Sequence, residues 1–329
     1  SYKLAPIGQF IDSNLHPYVS VFIYKIMSIF SEVSLMGSFI YVGAIICALS
    51  AIPAFFIGRK IGGNVGGFFA AWAVITNSFF VSRTAGESSD TDAYNIFFPL
   101  LIAWVFLEAL DQKDWRKRLG LSILTGALVG LYAFAWTGWW FILYFVLAAI
   151  IIVSAYQIAI GVAQKKSMQY HVGVAKEMGI VLGAVLVSCL VFTVIFTDFD
   201  TFYKSVRGPF GFLSIKSVGT IKVWPNVLTT VAELNPLDIS DAIGQVGGSF
   251  LVILVTLGIL LSGLRKDKDD RYDIAYLVLF GMWLIVSLWS TKNGTRFALL
   301  AVPPVGIGFG FFCGVLYTYI GRWLGNLTS

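Results

Sequence analysis

Charged side chains are scarce in this sequence. Its 23 Lys and Arg and 18 Asp and Glu residues make up 12% of 329 positions, whereas hydrophobic residues make up 57%. Soluble domains carry about twice that charged fraction. The shortage excludes an ordinary soluble domain and predicts an all-α fold, a polytopic bundle of transmembrane helices.

Cysteine and histidine are also rare. Cys47, Cys189 and Cys313 lie singly within apolar segments, which excludes a disulfide framework and the closely spaced ligands of a zinc site. We interpret His16 as a loop residue rather than a metal ligand. His171 follows Lys165 and Lys166 in a basic connection, so we place it at the cytoplasmic surface, away from any external site.

Apolar runs of membrane-spanning length recur along the whole chain. A helix needs about 20 residues to cross the hydrocarbon core, and several runs are shorter, so we expect tilted helices packed on their neighbours. The aromatic content of 16%, including ten Trp, fits side chains anchored at two water interfaces. The nine predicted segments are 37–57, 65–81, 93–110, 119–137, 138–160, 172–196, 246–264, 274–290 and 297–320.

Lysine and arginine fall in alternate connections between these segments. The positive-inside rule places those connections in the cytoplasm and explains the net charge of +5 without nucleic acid. The opposite, external face receives loops at about 82–93 and 197–245, the turn at 136–140 and the segment 290–296. The basic connections contain Arg59 and Lys60; Lys113 and 116–118; Lys165, Lys166 and Lys176; and Arg265, Lys266, Lys268 and Arg271.

Two segments outside these crossings have a distinctive composition. Residues 17–30 are too short, and too broken by Tyr24 and Lys25, for a span, so we predict a helix at the membrane interface. The 197–245 connection is far longer than typical loops, which indicates a functional or a disordered segment. Its many aromatic residues argue against disorder, because such residues bury apolar surface where they can.

A glycine-rich run at 62–67 offers two interpretations. Its overlapping pairs of small residues favour close packing between helices. A phosphate-binding loop is disfavoured, because no Lys-Ser or Lys-Thr follows and because the run is predicted to be cytoplasmic.

Two carboxylates, Asp90 and Asp92, stand in a short polar break between apolar segments. Charge this close to hydrocarbon is energetically costly, and hard oxygen ligands one residue apart on an irregular backbone suit a divalent cation. Each remaining charge on the same predicted face is, taken alone, better explained as a solvated loop residue. These further charges are Arg83, Glu233 and Arg296.

Together these side chains provide two ligands for a hard cation, a further carboxylate and two guanidinium groups on one face. Such a set suits a phosphate-bearing substrate at the membrane surface. A metal ion and arginine neutralise a phosphate leaving group, while a carboxylate orients the nucleophile.

Three short runs stand out by their order along the chain: SRTAGESSDTD at 82–92, TVAE at 230–233 and RFALLAVP at 296–303. Their order resembles that in the catalytic subunit of oligosaccharyltransferase, particularly the single-subunit archaeal and bacterial enzymes. The segment from His16 to Lys25 is also similar to the end of that family's first external loop. The resemblance covers nearly the whole chain and implies the membrane domain of a GT-C type glycosyltransferase.

The resemblance implies transfer of a glycan from a polyprenyl (pyro)phosphate-linked donor to the Asn amide of an Asn-x-Ser/Thr sequon. It implies a lipid-linked oligosaccharide donor, a sequon-containing acceptor polypeptide and membrane lipid as partners, with no nucleic acid. It also implies the plasma membrane of an archaeon or bacterium, with the active site on the external face.

Site residues follow from the resemblance by motif. Asp90 and Asp92 would bind Mn²⁺ or Mg²⁺, and Arg83 would support their loop. Glu233, with Thr230 in the same motif, would contact the acceptor amide. Arg296 would contact the donor pyrophosphate. Trp136 is similar to an aromatic residue that lines the donor site, although anchoring at the membrane interface explains it equally well.

The sequence departs from the family pattern at both ends. The family has a further acidic metal ligand in its first external loop, near its first span, and a C-terminal soluble domain with a Trp-Trp-Asp motif that reads the sequon. Neither is found in this sequence. We therefore expect that the first span and the soluble domain are absent from this chain and that these 329 residues alone are inactive.

Two other functions remain open from the residues alone. Another polyprenyl-phosphate-sugar-dependent glycosyltransferase would share the helical plan but would not explain the TVAE run. A secondary transporter would also carry carboxylates, but these charges fall at one surface rather than at the bilayer midplane. The sequon at Asn293 is predicted to be external and the one at Asn326 cytoplasmic, so modification is expected only at Asn293.

Overall fold

The computed structural model describes residues 2–3, 9–10, 14–85, 90–213, 235–266 and 272–328, with side chains for 14–85, 90–212, 235–266 and 272–323. Thr230 and Glu233 lie outside the described residues. Two short strands, β1 (Tyr2–Lys3) and β2 (Gln9–Phe10), pair antiparallel. The rest of the described chain is mainly helical, and its long apolar helices confirm the predicted fold class.

Twelve α-helices and three 3₁₀ turns are found in the described ranges. The turns are Thr91–Ala93, Thr291–Asn293 and Thr295–Ala301. The helices are α1 (Leu15–Phe30), α2 (Leu35–Ile75), α3 (Ser78–Thr84), α4 (Tyr94–Asp111), α5 (Trp115–Ala135), α6 (Trp140–Ala163), α7 (Met168–Phe196), α8 (Phe199–Leu213), α9 (Ile239–Gln245), α10 (Gly248–Ser262), α11 (Ala275–Ser290) and α12 (Val302–Thr328).

Helix α2 is folded back on itself. A straight helix of 41 residues would be about 60 Å long. Instead, a Cβ atom placed on Gly58 would lie 2.7 Å from the Gly66 carbonyl oxygen, and one on Gly67 would lie 2.8 Å from the Phe55 carbonyl oxygen. The reversal occurs at Gly63, whose φ of 62° and ψ of −163° are tolerated essentially only by glycine.

The two arms of α2, residues 35–62 and 64–75, correspond to the first two predicted segments. Seven described helices are long and apolar enough to cross a membrane, or up to eight if the bent pair α9 and α10 forms one span. The described helices follow the predicted segments in order, with the first two segments joined in α2, and the total of nine crossings stays a prediction. The close contacts of Gly58 and Gly67 across the reversal, rather than the length of α2, show that this helix has two arms.

The glycine-rich run packs against α12. A Cβ on Gly62 would lie 2.9 Å from the Gly314 Cα atom, and one on Gly66 would lie 2.9 Å from the Gly310 carbonyl oxygen. Only residues without a side chain allow two helix backbones to approach this closely. The run is therefore a helix-packing motif, as the small-residue spacing predicts.

Helix α1 corrects the interpretation of His16 as a loop residue. Asn14 caps this helix, because its side chain accepts the His16 backbone N–H at 3.2 Å. Pro17 lies in the first turn, where a missing N–H is tolerated. His16 is therefore helical, and its Nδ1 atom lies 3.2 Å from the Tyr94 hydroxyl at the start of α4. The predicted interfacial segment 17–30 does form a helix.

Charged groups of the basic connections meet at one end of the bundle, here called the basic end. The Lys60 amine lies 3.0 Å from Asp111, at the end of α4, and the Arg265 guanidinium approaches the same carboxylate at 3.8 Å. Helix α4 is about 25 Å long, so its first residue, Tyr94, is far from this cluster. The opposite end, where α4 begins and α11 ends, is here called the site end.

The long connection at 197–245 contains two helices among its described residues. Helix α8 begins after Asp198, whose carboxylate accepts the Thr201 backbone N–H at 2.6 Å. Helices α9 and α10 meet at a bend of 85°. Gly247 and Gly248, with φ of 123° and 87°, allow the bend because they have no Cβ atom. The segment predicted as a single crossing at 246–264 therefore begins with this turn.

Candidate functional site

The acidic turn at 90–92 joins α3 to α4 at the site end. Asp90 caps the 3₁₀ turn, because its Oδ1 atom accepts the Thr91 backbone N–H at 2.6 Å. Its side chain is exposed, whereas Asp92 has only 7% of its surface exposed. The two carboxylates of the motif therefore stand in different environments.

Asp92 is held by contacts to both of its carboxylate oxygens. The Arg83 Nη1 atom lies 3.6 Å from Oδ2, and the Asn95 Nδ2 atom donates to Oδ1 at 3.5 Å. A buried carboxylate needs such partners, because its desolvation is otherwise costly. Arg83 thus contacts the acidic turn directly, and its role in supporting that loop stays a prediction.

A large apolar cavity lies at the same end, between α6, α8 and α11. Its volume is about 670 Å³. Trp136 and Phe141 line one side, Phe212 of α8 lines another, and Arg296 and Phe297 line a third. Two residues predicted from separate motifs, Trp136 and Arg296, therefore face one cavity.

Arg296 lies in a 3₁₀ turn that is fastened on two sides. The Thr295 backbone N–H donates to the Asn235 carbonyl at 3.0 Å, and the Leu237 N–H donates to the Thr291 carbonyl at 3.1 Å. On the other side, the Trp283 indole N–H donates to the Leu300 carbonyl at 2.8 Å. No ion pair to Arg296 occurs within the described ranges. A guanidinium at an apolar wall, on a backbone held in this way, suits an anionic group.

Helix α8 forms a wall of the cavity. A Cβ on Gly208 would lie 2.5 Å from the Trp140 ring, so glycine permits the close approach of α8 to α6. The Phe212 ring meets the Phe297 ring edge to face at 4.8 Å between centroids.

At the start of α8, the Thr201 backbone N–H holds the pKa of the Asp198 carboxyl below its usual value. A lower pKa favours the ionised carboxylate, whose negative charge is stabilised by the N-terminus of α8.

The acidic turn fits a divalent cation only in part. Among the described residues, no group of three or more His, Cys, Asp or Glu side chains is placed to hold a metal ion. Mg²⁺ is commonly held by one or two carboxylates together with water and substrate phosphates. Asp90 and Asp92 supply two hard oxygen donors of that kind, so the chemistry of their side chains fits part of such a site.

The structure brings the described candidate residues into two groups. Arg83, Asp90 and Asp92 form the acidic turn, and Trp136 and Arg296 line the cavity. Sequence reasoning missed the residues that connect these groups, Asn95 and Tyr132. The signals were present: Asn95 follows Asp92 by three positions and Tyr132 precedes Trp136 by four, spacings that place side chains on one helix face.

Comparison with known proteins identifies the family. The family model described as "Oligosaccharyl transferase STT3, N-terminal" matches residues 2–320. The chain belongs to this family. Membership in the STT3 family confirms the resemblance inferred from the three runs, and it favours a glycosyltransferase over the secondary transporter.

Relatives of this STT3 chain include archaeal and bacterial proteins. A dolichyl-phosphooligosaccharide-protein glycotransferase of Methanococcus voltae is 31% identical over 97% of this chain and 38% of its own length. An undecaprenyl-diphosphooligosaccharide-protein glycotransferase of Campylobacter jejuni is 23% identical over 94% of this chain and 45% of its own length. The chain thus spans less than half the length of these relatives.

Solved structures share the fold of this STT3 chain. The oligosaccharyltransferase AglB of Archaeoglobus fulgidus, in complex with an inhibitory peptide and a dolichol-phosphate, superposes with a TM-score of 0.63. The identity is 16%, and the match covers 98% of this chain and 44% of that one. The apo form of the A. fulgidus enzyme gives a TM-score of 0.62. The helical bundle is therefore that of an oligosaccharyltransferase membrane domain.

Proposed function

We propose that this chain forms the membrane part of an enzyme that transfers an oligosaccharide from a polyprenyl (pyro)phosphate-linked donor to the Asn amide of Asn-x-Ser/Thr sequons. Family membership supports the reaction class. The names of the relatives support a lipid-linked oligosaccharide donor and a protein acceptor.

One observation carries the proposal: a guanidinium faces an apolar cavity at the site end. Arg296 and Trp136 line this cavity of about 670 Å³. A polyprenyl phosphate combines a long apolar chain with a compact anionic group. Aromatic walls suit the chain, and Arg296 suits the phosphate, because arginine donates two parallel hydrogen bonds to such an anion.

The cavity wall also contains side chains at the outer surface of the bundle. Tyr144 of α6 and Val286 and Trp289 of α11 line the cavity and are exposed. In a membrane-spanning bundle, such side chains face lipid. We infer that a lipid-linked donor enters from the bilayer between α6 and α11, with its phosphate toward Arg296.

The acidic turn lies at the same end of the bundle as the cavity and provides the carboxylates of the proposed site. Asp90 and Asp92 would hold Mn²⁺ or Mg²⁺, which supplies positive charge to the departing donor phosphate. Asp90 is the exposed carboxylate and would be the more accessible ligand. Arg83 would orient Asp92 through their 3.6 Å contact.

Thr230 and Glu233 remain predictions from the TVAE run. The described chain resumes at Asn235, whose carbonyl accepts the backbone N–H next to Arg296. Glu233 precedes Asn235 by two positions. An amide nitrogen is a poor nucleophile, because its lone pair is delocalised into the carbonyl. A carboxylate that accepts hydrogen bonds from its N–H groups would help to twist the amide.

The apolar helices and the family show an integral membrane protein. We propose that it resides in the plasma membrane of an archaeon or bacterium, with the site end outside. The acidic turn and the cavity lie at the end opposite to Lys60 and Arg265, which the positive-inside rule assigns to the cytoplasm.

Glycan transfer to a sequon peptide, measured with the complete protein, tests this function. We expect Asp90→Ala and Glu233→Gln each to abolish most transfer. Asp114→Ala is a matched control for the first variant, since Asp114 is also an exposed helix-capping aspartate and accepts the Arg116 N–H at 2.9 Å. Glu177→Gln, at the basic end, controls for the second. Wild-type transfer by either site variant would remove that residue from the mechanism.

A further inference from the structure

A chain of buried polar side chains links the acidic turn to the cavity wall. Asp92, Asn95 and Tyr132 have 7%, 2% and 0% of their surface exposed. Polar groups buried among apolar helices are stable only when hydrogen-bonded to one another. None of the roles proposed above uses Asn95 or Tyr132.

The direction of these hydrogen bonds is set by the charge of Asp92. The Asn95 Nδ2 atom faces the Asp92 Oδ1 atom at 3.5 Å, so the amide presents its donor to the carboxylate. Its carbonyl oxygen then accepts the Tyr132 hydroxyl proton at 3.0 Å. The reversed amide would place an oxygen against the carboxylate, which is repulsive. The hydroxyl thus fixes the amide, and the amide fixes the carboxylate.

The Tyr132 ring connects this chain to the cavity. It stacks on the Phe98 ring of α4 at 5.5 Å and on the Trp136 ring at 6.1 Å between centroids. The Trp136 backbone N–H also donates to the Tyr132 carbonyl at 3.0 Å. Trp136 lines the cavity that contains Arg296. One buried tyrosine therefore contacts both the carboxylate network and the cavity wall.

We propose that Asn95 and Tyr132 are positioning residues that fix the Asp92 carboxylate relative to the cavity wall at Trp136. The inference rests on the proposed function, because it assigns to these residues the alignment of a cation held by the acidic turn with a lipid phosphate held in the cavity. Partners that orient metal ligands commonly matter about 10-fold to 100-fold for metal affinity or activity.

Tyr132→Phe tests the inference with a small change. The variant keeps the stacked ring and removes only the hydroxyl. Tyr276→Phe is a matched control, because Tyr276 is also buried and its hydroxyl also donates to a residue of α4. The acceptor is Asp111, at 3.5 Å. The control lies at the basic end, so it removes a similar hydrogen bond far from the site.

The measurements use the complete protein: Mn²⁺ affinity by calorimetric titration, kcat and donor KM for peptide glycosylation, and the thermal unfolding midpoint. We expect Tyr132→Phe to lower Mn²⁺ affinity and kcat about tenfold, with little change in donor KM. We expect Tyr276→Phe to leave Mn²⁺ affinity and kcat unchanged. Both variants are expected to lower the unfolding midpoint to a similar extent.

Equal Mn²⁺ affinity and kcat in Tyr132→Phe and Tyr276→Phe, with only the unfolding midpoints lowered, would show a merely structural hydroxyl and overturn the inference. Asp92→Ala separates the two proposals. If Asp92→Ala loses Mn²⁺ binding and transfer while Tyr132→Phe resembles wild type, the positioning role alone is wrong. If Asp92→Ala binds Mn²⁺ and transfers glycan normally, the proposed role of Asp92 and the inference fail together.

Discussion

Two arginines at opposite ends of the helix bundle, Arg265 and Arg296, have different neighbours. At the basic end, Lys60 and Arg265 lie 3.0 and 3.8 Å from the Asp111 carboxylate. At the site end, Arg296 lines an apolar cavity, and within the described ranges no carboxylate pairs with it. A cation held by carboxylates ties helices together, whereas one that faces a cavity suits an anionic ligand. The groups around each arginine therefore indicate whether it stabilises the fold, as at Arg265, or is available to a ligand, as at Arg296.

The largest expected effect comes from exchanging the two arginines for alanine. Arg296→Ala should lower kcat/KM for transfer by about 10²-fold to 10³-fold, because a fixed donor to developing phosphate charge is lost. Arg265→Ala should instead lower the free energy of unfolding and leave kcat/KM per folded molecule unchanged. Transfer assays and thermal unfolding of both variants provide the check. The opposite assignment of effects would refute the comparison.

Asp111→Asn probes the basic end from its shared carboxylate. The substitution leaves Lys60 and Arg265 next to a neutral amide in a half-buried cluster. We expect a loss of about 2 kcal/mol in the free energy of unfolding, between the values for exposed and buried ion pairs. Glu177→Gln, which breaks an exposed pair with Arg118, should cost less. Equal stability losses would show that the cluster adds nothing beyond a surface ion pair.

Gly63→Ala tests the reversal of α2 beside Lys60. Apart from its chain neighbours and its own helical turn, no atom of the described chain lies within 4 Å of a Cβ placed there, so the substitution adds strain through the positive φ. We expect a loss of about 1 to 3 kcal/mol. Gly120→Ala is the matched control, because its Cβ also meets open space but the residue is helical, and alanine should stabilise it slightly. Stabilisation by Gly63→Ala would contradict the fold-back.

The smallest expected effect sharpens the description of the cavity. Trp136→Phe removes part of an aromatic wall and should raise the donor KM by a few fold, as loss of about 1 kcal/mol of ring contact predicts. Trp104→Phe is the control, because Trp104 stacks on Phe56 and donates to Glu108 toward the basic end. A donor KM raised equally by both variants would mean that Trp136 does not contact the donor.

Much of the fold follows from the sequence because hydrophobic length and basic residues are local signals. The apolar segments give the helices and their order, and the basic connections do meet at one end, as the cluster at Lys60 shows. The sequence predicts separate apolar segments on the two sides of Gly63, and α2 reverses there. The bend before Gly248 was not predicted, since a change of direction depends on φ values that composition does not encode.

The site could be predicted only as separate motifs. Asp90, Asp92 and Arg296 were recognised by charge in apolar surroundings, and the structure places the first two in one turn and the third in a cavity. Their connection through Asn95 and Tyr132 depends on which helices pack together. A single sequence does not provide that information, because spacing within a helix says nothing about its neighbour.

Photolabelling tests the central claim, that the cavity at Arg296 receives a lipid phosphate, most directly. The probe is a polyprenyl phosphate with a diazirine near the phosphate, applied to the complete protein in nanodiscs, with labelled peptides identified by mass spectrometry. We predict labels on the cavity wall, around Tyr144, Val286 and Trp289, that disappear with excess unlabelled polyprenyl phosphate and weaken in Arg296→Ala. Labels confined to the basic end, or labelling that neither the competitor nor Arg296→Ala changes, would contradict the account.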